Sequence, residues 1–272
     1  MTTRFVHISD LHVGAHEDPE VEQGLARLVA EVEPQLVVAS GDLSHRGRPE
    51  QLEHAASFLR SLGPPVLAVP GNHDMPYNAK RVLRPWSDFE RIWETAEPTV
   101  SLPGLHVVGL NSASPFRRQG GDLGRGRLER GVARLNAAAP DALRVAVLHH
   151  HVTGAPWRAF TKRQVARRKR VLEELAGAGA DLILGGHIHQ ATVIERHEFQ
   201  ALGDDTKTTI VVTAPGFGRP RPHRLGEARG LHVYEAEADA ITVRTYGWSG
   251  AQFAPAAERR FARRYSAKRR RV

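Results

Sequence analysis

The sequence contains no cysteine among its 272 residues. Without cysteine the chain can form no disulfide bond and can offer no thiolate ligand, so zinc fingers, iron–sulfur clusters and thiol nucleophiles are excluded. Any bound metal ion must therefore be held by oxygen and imidazole ligands. The chain has 15 histidines and 30 acidic residues from which to supply them.

Long apolar runs are also missing. No apolar stretch approaches the roughly 20 residues that a membrane-spanning helix needs. Residues 1–4 are followed at once by a short strand-like run rather than by a signal peptide, and we therefore predict a cytoplasmic protein. Because 41% of the residues are apolar, the chain can bury one full core, and we predict a single domain over residues 1–250.

The formal net charge is +8, but one short segment without acidic residues carries all of this excess. Residues 259–272 contain eight lysines and arginines, so the rest of the chain is formally neutral. A neutral body lacks the broad basic groove of a duplex-binding protein. We predict that residues 251–272 form a flexible, solvated tail, and we favour this over a tail that binds nucleic acid or an anionic membrane.

A second segment without acids, residues 162–170, contains six lysines and arginines. It follows Trp157 and Phe160, and two interpretations stay open. The segment either caps a substrate pocket, or it forms the solvated face of a helix whose aromatic neighbours lie in the core.

Strand-like and helix-like segments alternate up to His189. Short apolar runs predict strands at residues 5–8, 36–39, 66–69, 106–110, 144–148 and 182–184. Helical periodicity predicts helices at residues 21–32 and 50–62, and a further helix around Trp86, Phe89 and Trp93. Such alternation is typical of βαβ units in a mostly parallel sheet.

After His189 the strands follow one another without predicted helices. We predict antiparallel strands at residues 191–195, 208–213, 231–234 and 240–246, with turns at 203–205 and 237–239. Glycine-rich and proline-rich segments predict loops at residues 115–126 and 216–222. Two packed sheets flanked by helices would accommodate both halves of the chain.

Polar motifs follow directly after five of the predicted strands. They are Asp10-Leu11-His12, Gly41-Asp42, Gly71-Asn72-His73-Asp74, His149-His150-His151 and Gly186-His187-Ile188-His189. Because ligands bind beyond the carboxyl ends of strands in open α/β sheets, we expect these side chains to meet at one edge. Each motif alone fits a turn, a helix cap or a solvated surface. Together they predict a metal site with oxygen and nitrogen ligands.

This set of motifs resembles the calcineurin-like metallophosphoesterase family over residues 4–189, and within it the bacterial branch that contains the class III cyclic-nucleotide phosphodiesterases. The resemblance implies an α/β fold, a four-layer αββα sandwich of two mixed β-sheets flanked by helices. It also implies a dinuclear centre of divalent ions, which can be manganese, iron, zinc, cobalt or magnesium. Matched by motif, one ion takes Asp10, His12 and His189, the other takes Asn72, His149 and His187, and Asp42 bridges the two.

The chemistry explains why these residue types are needed. Two cations about 3.5 to 4 Å apart can hold a bridging hydroxide for in-line attack and neutralise the phosphoryl oxygens. A carboxylate such as Asp42 suits the bridging position because it offers two oxygens. His73 is left without a metal and is predicted to be catalytic, with Asp74 or another carboxylate to orient it.

The histidine triplet leaves the choice of ligand open. His149 is the first residue after the predicted strand, in the phase at which the family has its ligand, but Val152-Thr153 stands where relatives often carry proline. His150 therefore stays an alternative ligand.

The remaining histidines and aromatics supply weaker candidates. We place His150, His151 and Trp157 among the candidate substrate contacts. His16 and His45 are the strongest candidates among the histidines outside the motifs, because they follow Asp10 and Asp42 closely.

The resemblance implies a metal-dependent phosphoric ester hydrolase. The substrate that we favour is a small phosphodiester, such as a cyclic nucleotide or a glycerophosphodiester. A nuclease and a lipid-diphosphate hydrolase of the same fold stay open, since the basic segments would suit their anionic substrates. A scaffold that has lost its metals is disfavoured because every expected ligand is present.

Overall fold

The computed structural model describes residues 2–16, 18–117, 119–154, 162–200, 208–220 and 227–263. The predicted turn at residues 203–205 and the aromatic residues Trp157 and Phe160 lie outside these ranges. No helix in the described ranges is both long and apolar enough to cross a membrane.

Twelve strands and six helices follow one another in these ranges, with one 3₁₀ helix at Arg196–Glu198. In the first half they are β1 (Thr3–Ile8), α1 (Pro19–Val32), β2 (Leu36–Ala39), α2 (Pro49–Ser61), β3 (Val66–Ala68), α3 (Lys80–Leu83), α4 (Ser87–Trp93), β4 (Thr99–Leu102), β5 (Leu105–Gly109) and α5 (Gly124–Asn136). In the second half they are β6 (Leu143–Val147), α6 (Arg168–Gly177), β7 (Leu182–Gly185), β8 (Thr192–Glu195), β9 (Ile210–Thr213), β10 (Gly230–Ala236), β11 (Ala240–Trp248) and β12 (Phe253–Ala262).

The strands form two six-stranded mixed sheets. The first sheet has the order β12-β11-β10-β1-β2-β3, and the second has the order β4-β5-β6-β7-β9-β8. Strands β1, β2 and β3 are parallel, as are β5, β6, β7 and β9. Antiparallel strands lie at the outer edges, where β10, β11 and β12 extend the first sheet and β4 and β8 close the second.

Alternation along the strands divides the core into three apolar layers. In β1, Phe5 packs between the two sheets, whereas Val6 and Ile8 face the layer that contains α1 and α2. The third layer lies between the second sheet and helices α5 and α6. Successive strand residues point to opposite faces, so a sheet covered on both faces needs the continuous apolar runs found here. The predicted four-layer αββα sandwich is confirmed.

Most of the predicted elements are confirmed, with boundaries within a few residues, and residues 237–239 form the β10–β11 turn. One strand direction was wrong. β9 pairs in parallel with β7, from Leu182 opposite Ile210 to Gly185 opposite Thr213, and only its other edge is antiparallel, to β8. Sequence periodicity cannot distinguish these pairings, because a strand buried on both faces reads the same in either direction.

Helix α5 and strand β4 were not predicted, and α5 begins inside the predicted loop at residues 115–126. The α5 sequence is dominated by arginine and glycine, and its narrow apolar stripe consists of Leu128, Val132 and Leu135. Gly131 allows the close packing that fixes this helix, since a Cβ there would lie 2.3 Å from Leu110 Cδ2. Tertiary packing therefore overrides a weak local preference.

The predicted boundary of a flexible tail at residue 251 was wrong for the first part of that segment. Residues 253–262 form β12, which pairs with β11 along its length. Phe261 is only 5% exposed and packs in the layer between the sheets. Arg259 and Arg260 pair with Glu198 and Glu237 at 2.7 and 3.0 Å. Part of the basic excess is thus neutralised by the body, and residues 264–272 lie outside the described ranges.

The fold brings the loops that carry the motifs together. The backbone amide of Asp10 donates to the carbonyl of Gly41 at 2.9 Å, and that of Gly186 donates to the carbonyl of His149 at 2.9 Å. These loops follow the carboxyl ends of β1, β2, β6 and β7, as expected for an open α/β sheet.

Candidate metal centre

Asp10, His12 and His189 form one compact group of possible ligands. Asp10 Oδ1 lies 3.0 Å from His189 Nε2 and 3.8 Å from His12 Nε2, and the two imidazole nitrogens are 3.3 Å apart. The other carboxylate oxygen, Oδ2, accepts hydrogen bonds from the Ser9 hydroxyl at 2.7 Å and the His187 amide at 2.8 Å. These bonds fix the carboxylate so that Oδ1 faces the histidines.

A second group contains Asn72, His149 and His187. Asn72 Oδ1 is 3.2 Å from His149 Nε2, and all three side chains are buried. His149 Nδ1 donates to the backbone carbonyl of Ser40 at 2.9 Å, and His187 Nε2 donates to that of Gln119 at 3.1 Å. When each imidazole is neutral and carries one proton, these bonds leave His149 Nε2 and His187 Nδ1 as the nitrogens that can bind a metal ion.

Asp42 lies between the two groups. Its Oδ2 is 3.8 Å from His12 Nε2 and 3.3 Å from His149 Nε2, while its Oδ1 accepts a hydrogen bond from the His73 amide at 2.8 Å. We expected both oxygens to face the groups, but only Oδ2 does so. Gly71 permits this position, since a Cβ there would lie 2.1 Å from Asp42 Oδ1.

The backbone at this centre is held in an uncommon conformation. Eight described non-glycine residues have positive φ, and five of them belong to the centre, namely Asp10, His12, Asp42, His187 and His189 with φ from 52° to 74°. Left-handed backbone is unfavourable for residues with a side chain, and it persists where the surrounding structure enforces it. At these residues the left-handed conformation turns the backbone sharply after a strand ends. The side chain then points towards the neighbouring loop.

The donor set fits divalent cations. It consists of carboxylate and amide oxygens and imidazole nitrogens, without thiolates, which suits manganese, iron, zinc, cobalt or magnesium. His187 Nδ1 is buried and has no hydrogen-bond partner, and such a polar atom is costly unless something binds it. This nitrogen is therefore available to bind a metal ion, and the residues of the two groups could hold such ions.

The charges at the centre also suit a cation. Burial would raise the pKa of Asp42, but His149 and His73 outweigh it and hold the pKa well below its usual value. Asp10 behaves in the same way because of His189. Burial would lower the pKa of His149, yet Asp42 raises it to about 9, so a metal ion that binds Nε2 must displace a proton from this histidine. Both carboxylates are thus ionised at neutral pH, as metal ligands must be.

His73 lies beside the ligand groups rather than within the second one. Its ring centroid is 4.8 Å from that of His12, and its Nδ1 donates to the backbone carbonyl of His45 at 2.8 Å. This bond leaves Nε2 as the nitrogen without a backbone partner in the described contacts. The Tyr77 hydroxyl lies 3.3 Å from Nδ1.

We had predicted from the sequence that Asp74 orients His73, but in the structure it does not. Its Oδ1 accepts hydrogen bonds from the amide and the hydroxyl of Ser44, and its Oδ2 accepts them from the amides of Gly71 and Leu43, at 2.8 to 3.2 Å. Burial and the nearby Asp42 raise the pKa of Asp74 against these bonds. Asp74 therefore joins the loop after β2 to the loop after β3, and the His45 carbonyl orients His73.

The structure distinguishes the members of the histidine triplet. His149, rather than His150, lies beside Asp42 and Asn72. His150 Nδ1 is 3.0 Å from the Ser112 hydroxyl, and the rings of His150 and His151 lie 4.6 and 6.0 Å from that of His187. Both side chains are buried and lie beside His187 of the second group. Trp157, the third candidate substrate contact, is outside the described residues.

Part of the basic segment at residues 162–170 is tied to this region. Lys162 donates to the backbone carbonyl of His187. Arg167 pairs with Asp122 at 2.7 Å, and Arg170 pairs with Glu174 on α6 at 2.5 Å. The described contacts of the segment are thus with the protein itself.

His45 lies closer to the centre than its place outside the sequence motifs indicated. Its ring lies 5.8 Å from that of His73, and His12, His45 and His73 form a further group with metal-ligand spacing. The signal that pointed to it was its position three residues after Asp42. Nothing in the sequence pointed to the carbonyls of Ser40 and Gln119, because backbone groups carry no motif.

Comparison with known protein families identifies relatives of this chain. The family model described as calcineurin-like phosphoesterase matches residues 3–191, which contain every residue of the two ligand groups. The chain belongs to the calcineurin-like phosphoesterase family. It is accordingly a metal-dependent phosphoester hydrolase.

Curated relatives of this calcineurin-like phosphoesterase are named as phosphodiesterases. The chain is 29% identical over 233 residues to a Synechococcus protein named "Probable cyclic nucleotide phosphodiesterase", covering 81% of the chain and 84% of that protein. It is 24% identical over 201 residues to an Arcobacter nitrofigilis protein named "Probable glycerophosphodiester phosphodiesterase GpdQ", covering 69% of the chain and 72% of that protein.

Among solved structures, the purple acid phosphatase of yellow lupin superposes on this chain with a TM-score of 0.70 at 12% sequence identity. The superposition covers 97% of the chain but 54% of the lupin protein, so the chain spans about half of its length. At this identity the likeness supports the fold alone.

Proposed function

We propose that this protein is a dinuclear metal-dependent phosphodiesterase that hydrolyses small phosphodiesters of the cyclic-nucleotide or glycerophosphodiester type. The observation that carries the proposal is the position of Asp42 Oδ2, which lies within 4 Å of a nitrogen from each ligand group. One carboxylate oxygen can thus be shared by two cations. The names of the Synechococcus and Arcobacter relatives support a small diester as the substrate.

In this proposal each residue has a defined role. One cation is held by Asp10, His12 and His189, the other is held by Asn72, His149 and His187, and Asp42 is shared. Two divalent ions, when bound, neutralise phosphoryl oxygens and activate water for in-line attack. The carbonyls of Ser40 and Gln119 set the tautomers of His149 and His187, so that the correct nitrogen of each faces the centre.

His73 is the catalytic group that is not a metal ligand. Its Nδ1 proton is held by the His45 carbonyl, so Nε2 is the atom that exchanges a proton. When protonated, Nε2 can donate to a phosphoryl oxygen or to the departing alkoxide, and it lies on the same pocket as His12 and His189.

Metal analysis combined with a turnover panel tests the proposal. Protein stripped by a chelator should be inactive, and manganese or another divalent transition ion should restore activity at two metals per chain. The panel should contain a cyclic nucleotide, a glycerophosphodiester, a phosphate monoester, a nucleic acid and a lipid diphosphate. Full activity with one metal per chain would contradict the dinuclear centre, and preference for nucleic acid or lipid would reassign the substrate.

Asp42→Asn tests the shared ligand. The neutral amide keeps one oxygen but loses the negative charge that two cations share, so metal content and turnover should fall together. His197→Ala is the matched control, because His197 is an exposed histidine on the 3₁₀ helix that pairs with Glu195 instead of the centre. An Asp42→Asn protein with two metals and turnover within a few fold of the parent would refute the assignment.

A further inference from the structure

An open pocket of about 440 Å³ adjoins the proposed metal centre. Its lining includes His12, His73 and His189 from the centre. The rest of the wall comes mainly from the loops after β1 and β2, with His16, His45, Arg46, Arg48, Gln51 and Arg219. A substrate whose phosphodiester lies at the centre would place one of its two arms in this pocket.

The pocket is positively charged, and its arginines are not paired within the described part of the chain. Arg46, Arg48 and Arg219 are exposed, and none of them forms an ion pair with a described residue. No aspartate or glutamate is among the described lining residues. Asp18, which senses the charge of Arg219, is itself engaged by Arg229 at 2.6 Å. Three guanidinium groups of like charge that pair with no described residue favour an anionic occupant at one pocket.

The backbone adds to this potential. Arg48 is the N-cap residue of α2, a helix of 13 residues, and its side chain does not cap the helix. Gln51 from the first turn of α2 also lines the pocket. The partial positive charge of a helix N-terminus attracts anions, so the helix and the guanidinium groups act in the same direction.

The lining has little else by which to select a substrate arm. No phenylalanine, tyrosine or tryptophan is among its described residues, so a nucleobase would find no extended aromatic surface there. Its few apolar groups include Leu11 and Ala15. Apart from its histidines and Gln51, positive charge is therefore the property by which this pocket can select a substrate arm.

We propose that the pocket binds a second phosphate group of the substrate, so that the preferred substrates are phosphodiesters with a further phosphate on one arm. The inference rests on the proposed phosphodiesterase function. Guanidinium groups recognise phosphate through parallel, charge-assisted hydrogen bonds, and they do so better than they recognise a neutral arm. Arg46, Arg48 and Arg219 are thereby specificity-determining residues.

The turnover test uses two chromogenic esters that differ by one phosphate. These are thymidine 5′-(p-nitrophenyl phosphate) and its 3′-phosphate derivative, which release the same p-nitrophenolate. Exposed ion pairs contribute about twofold each, so three arginines should raise kcat/KM for the phosphorylated ester by about eightfold, mainly through KM. Added salt should reduce this preference, because the pocket is open to solvent.

Variants assign the preference to the pocket. In the triple variant Arg46→Gln, Arg48→Gln and Arg219→Gln, the ratio of the two kcat/KM values should fall to near one. Arg125→Gln is the matched control, because Arg125 is an exposed arginine that pairs with Glu129 on α5, and it should keep the parental ratio. A parental ratio near one, or a preference that survives in the triple variant, would overturn the inference.

A binding measurement separates this inference from the proposed function. Calorimetry on the metal-reconstituted protein compares thymidine 3′,5′-bisphosphate with thymidine 5′-monophosphate, and the bisphosphate should bind about eightfold more tightly in the parent and not in the triple variant. Equal binding in the parent would contradict the pocket assignment. The expected binding difference without hydrolysis of any diester would uphold the pocket and refute the phosphodiesterase proposal.

Discussion

Replacing Asp74 should destabilise the protein, because its carboxylate supports the backbone of two site loops. Four hydrogen bonds reach it, three of them from backbone amides, at Leu43, Ser44 and Gly71. The fourth comes from the Ser44 hydroxyl. Asp74 is 1% exposed, so water cannot replace the acceptor when it is lost.

The size of the effect follows from counting the amides left without an acceptor. In Asp74→Asn the side-chain amino group must face either Ser44 or the pair Gly71 and Leu43. The better orientation faces Ser44, whose hydroxyl can accept, and leaves one backbone amide unpaired at a cost of about 1 to 3 kcal/mol. Asp74→Ala leaves all three amides unpaired, so its free energy of unfolding should fall by about 3 kcal/mol or more.

Urea unfolding of the chelator-treated protein, followed by circular dichroism, measures this loss without a contribution from metal binding. Asp88→Asn is the control, since Asp88 pairs with Lys80 at 3.7 Å near the surface and should cost at most about 0.5 kcal/mol. The metal content of Asp74→Asn should also fall, because both site loops lose their common anchor. Unchanged stability and metal content together with lost turnover would refute this reasoning and restore Asp74 as a partner of His73.

Three further predictions concern catalysis, acid stability and the C-terminal strand. His73→Ala should keep both metals and lose about 10²- to 10⁴-fold in turnover, less for a phenol than for an alkoxide leaving group, as measured by rate and elemental analysis. Burial lowers the pKa of His232 from 6.5 to about 4, so the unfolded chain binds the proton more readily and stability is lost as pH falls through this window. Parental, metal-free protein should therefore lose about 2 kcal/mol more than His232→Asn between pH 7 and 5 in urea unfolding, and equal losses would contradict it. Phe261→Ala should destabilise by about 3 to 5 kcal/mol, because Phe261 packs between the sheets, whereas a flexible tail would show no change in the same assay.

The sequence by itself determined most of the strands and the residue types of the centre. Runs such as Leu36–Ala39 are continuously apolar because both faces of the sheet are covered, and this periodicity is readable without a structure. Within each sheet the polar motifs that end these runs had to lie at the same edge, since parallel strands align their carboxyl ends. The absence of cysteine restricted the possible ligands to oxygen and nitrogen.

Only the tertiary structure decided how these side chains are oriented and how some of the strands pair. The choice of His149 over His150 depends on the Ser40 carbonyl, and the role of Asp74 depends on amides from two separate loops. The pairing of β9 with β7 and of β12 with β11 depends on which strand edges the neighbouring strands of each sheet leave unpaired. The His149–Ser40 contact and the β7–β9 pairing join residues far apart in the chain. Local periodicity carries no information about them, so they are set by packing and by the pairing of buried polar groups.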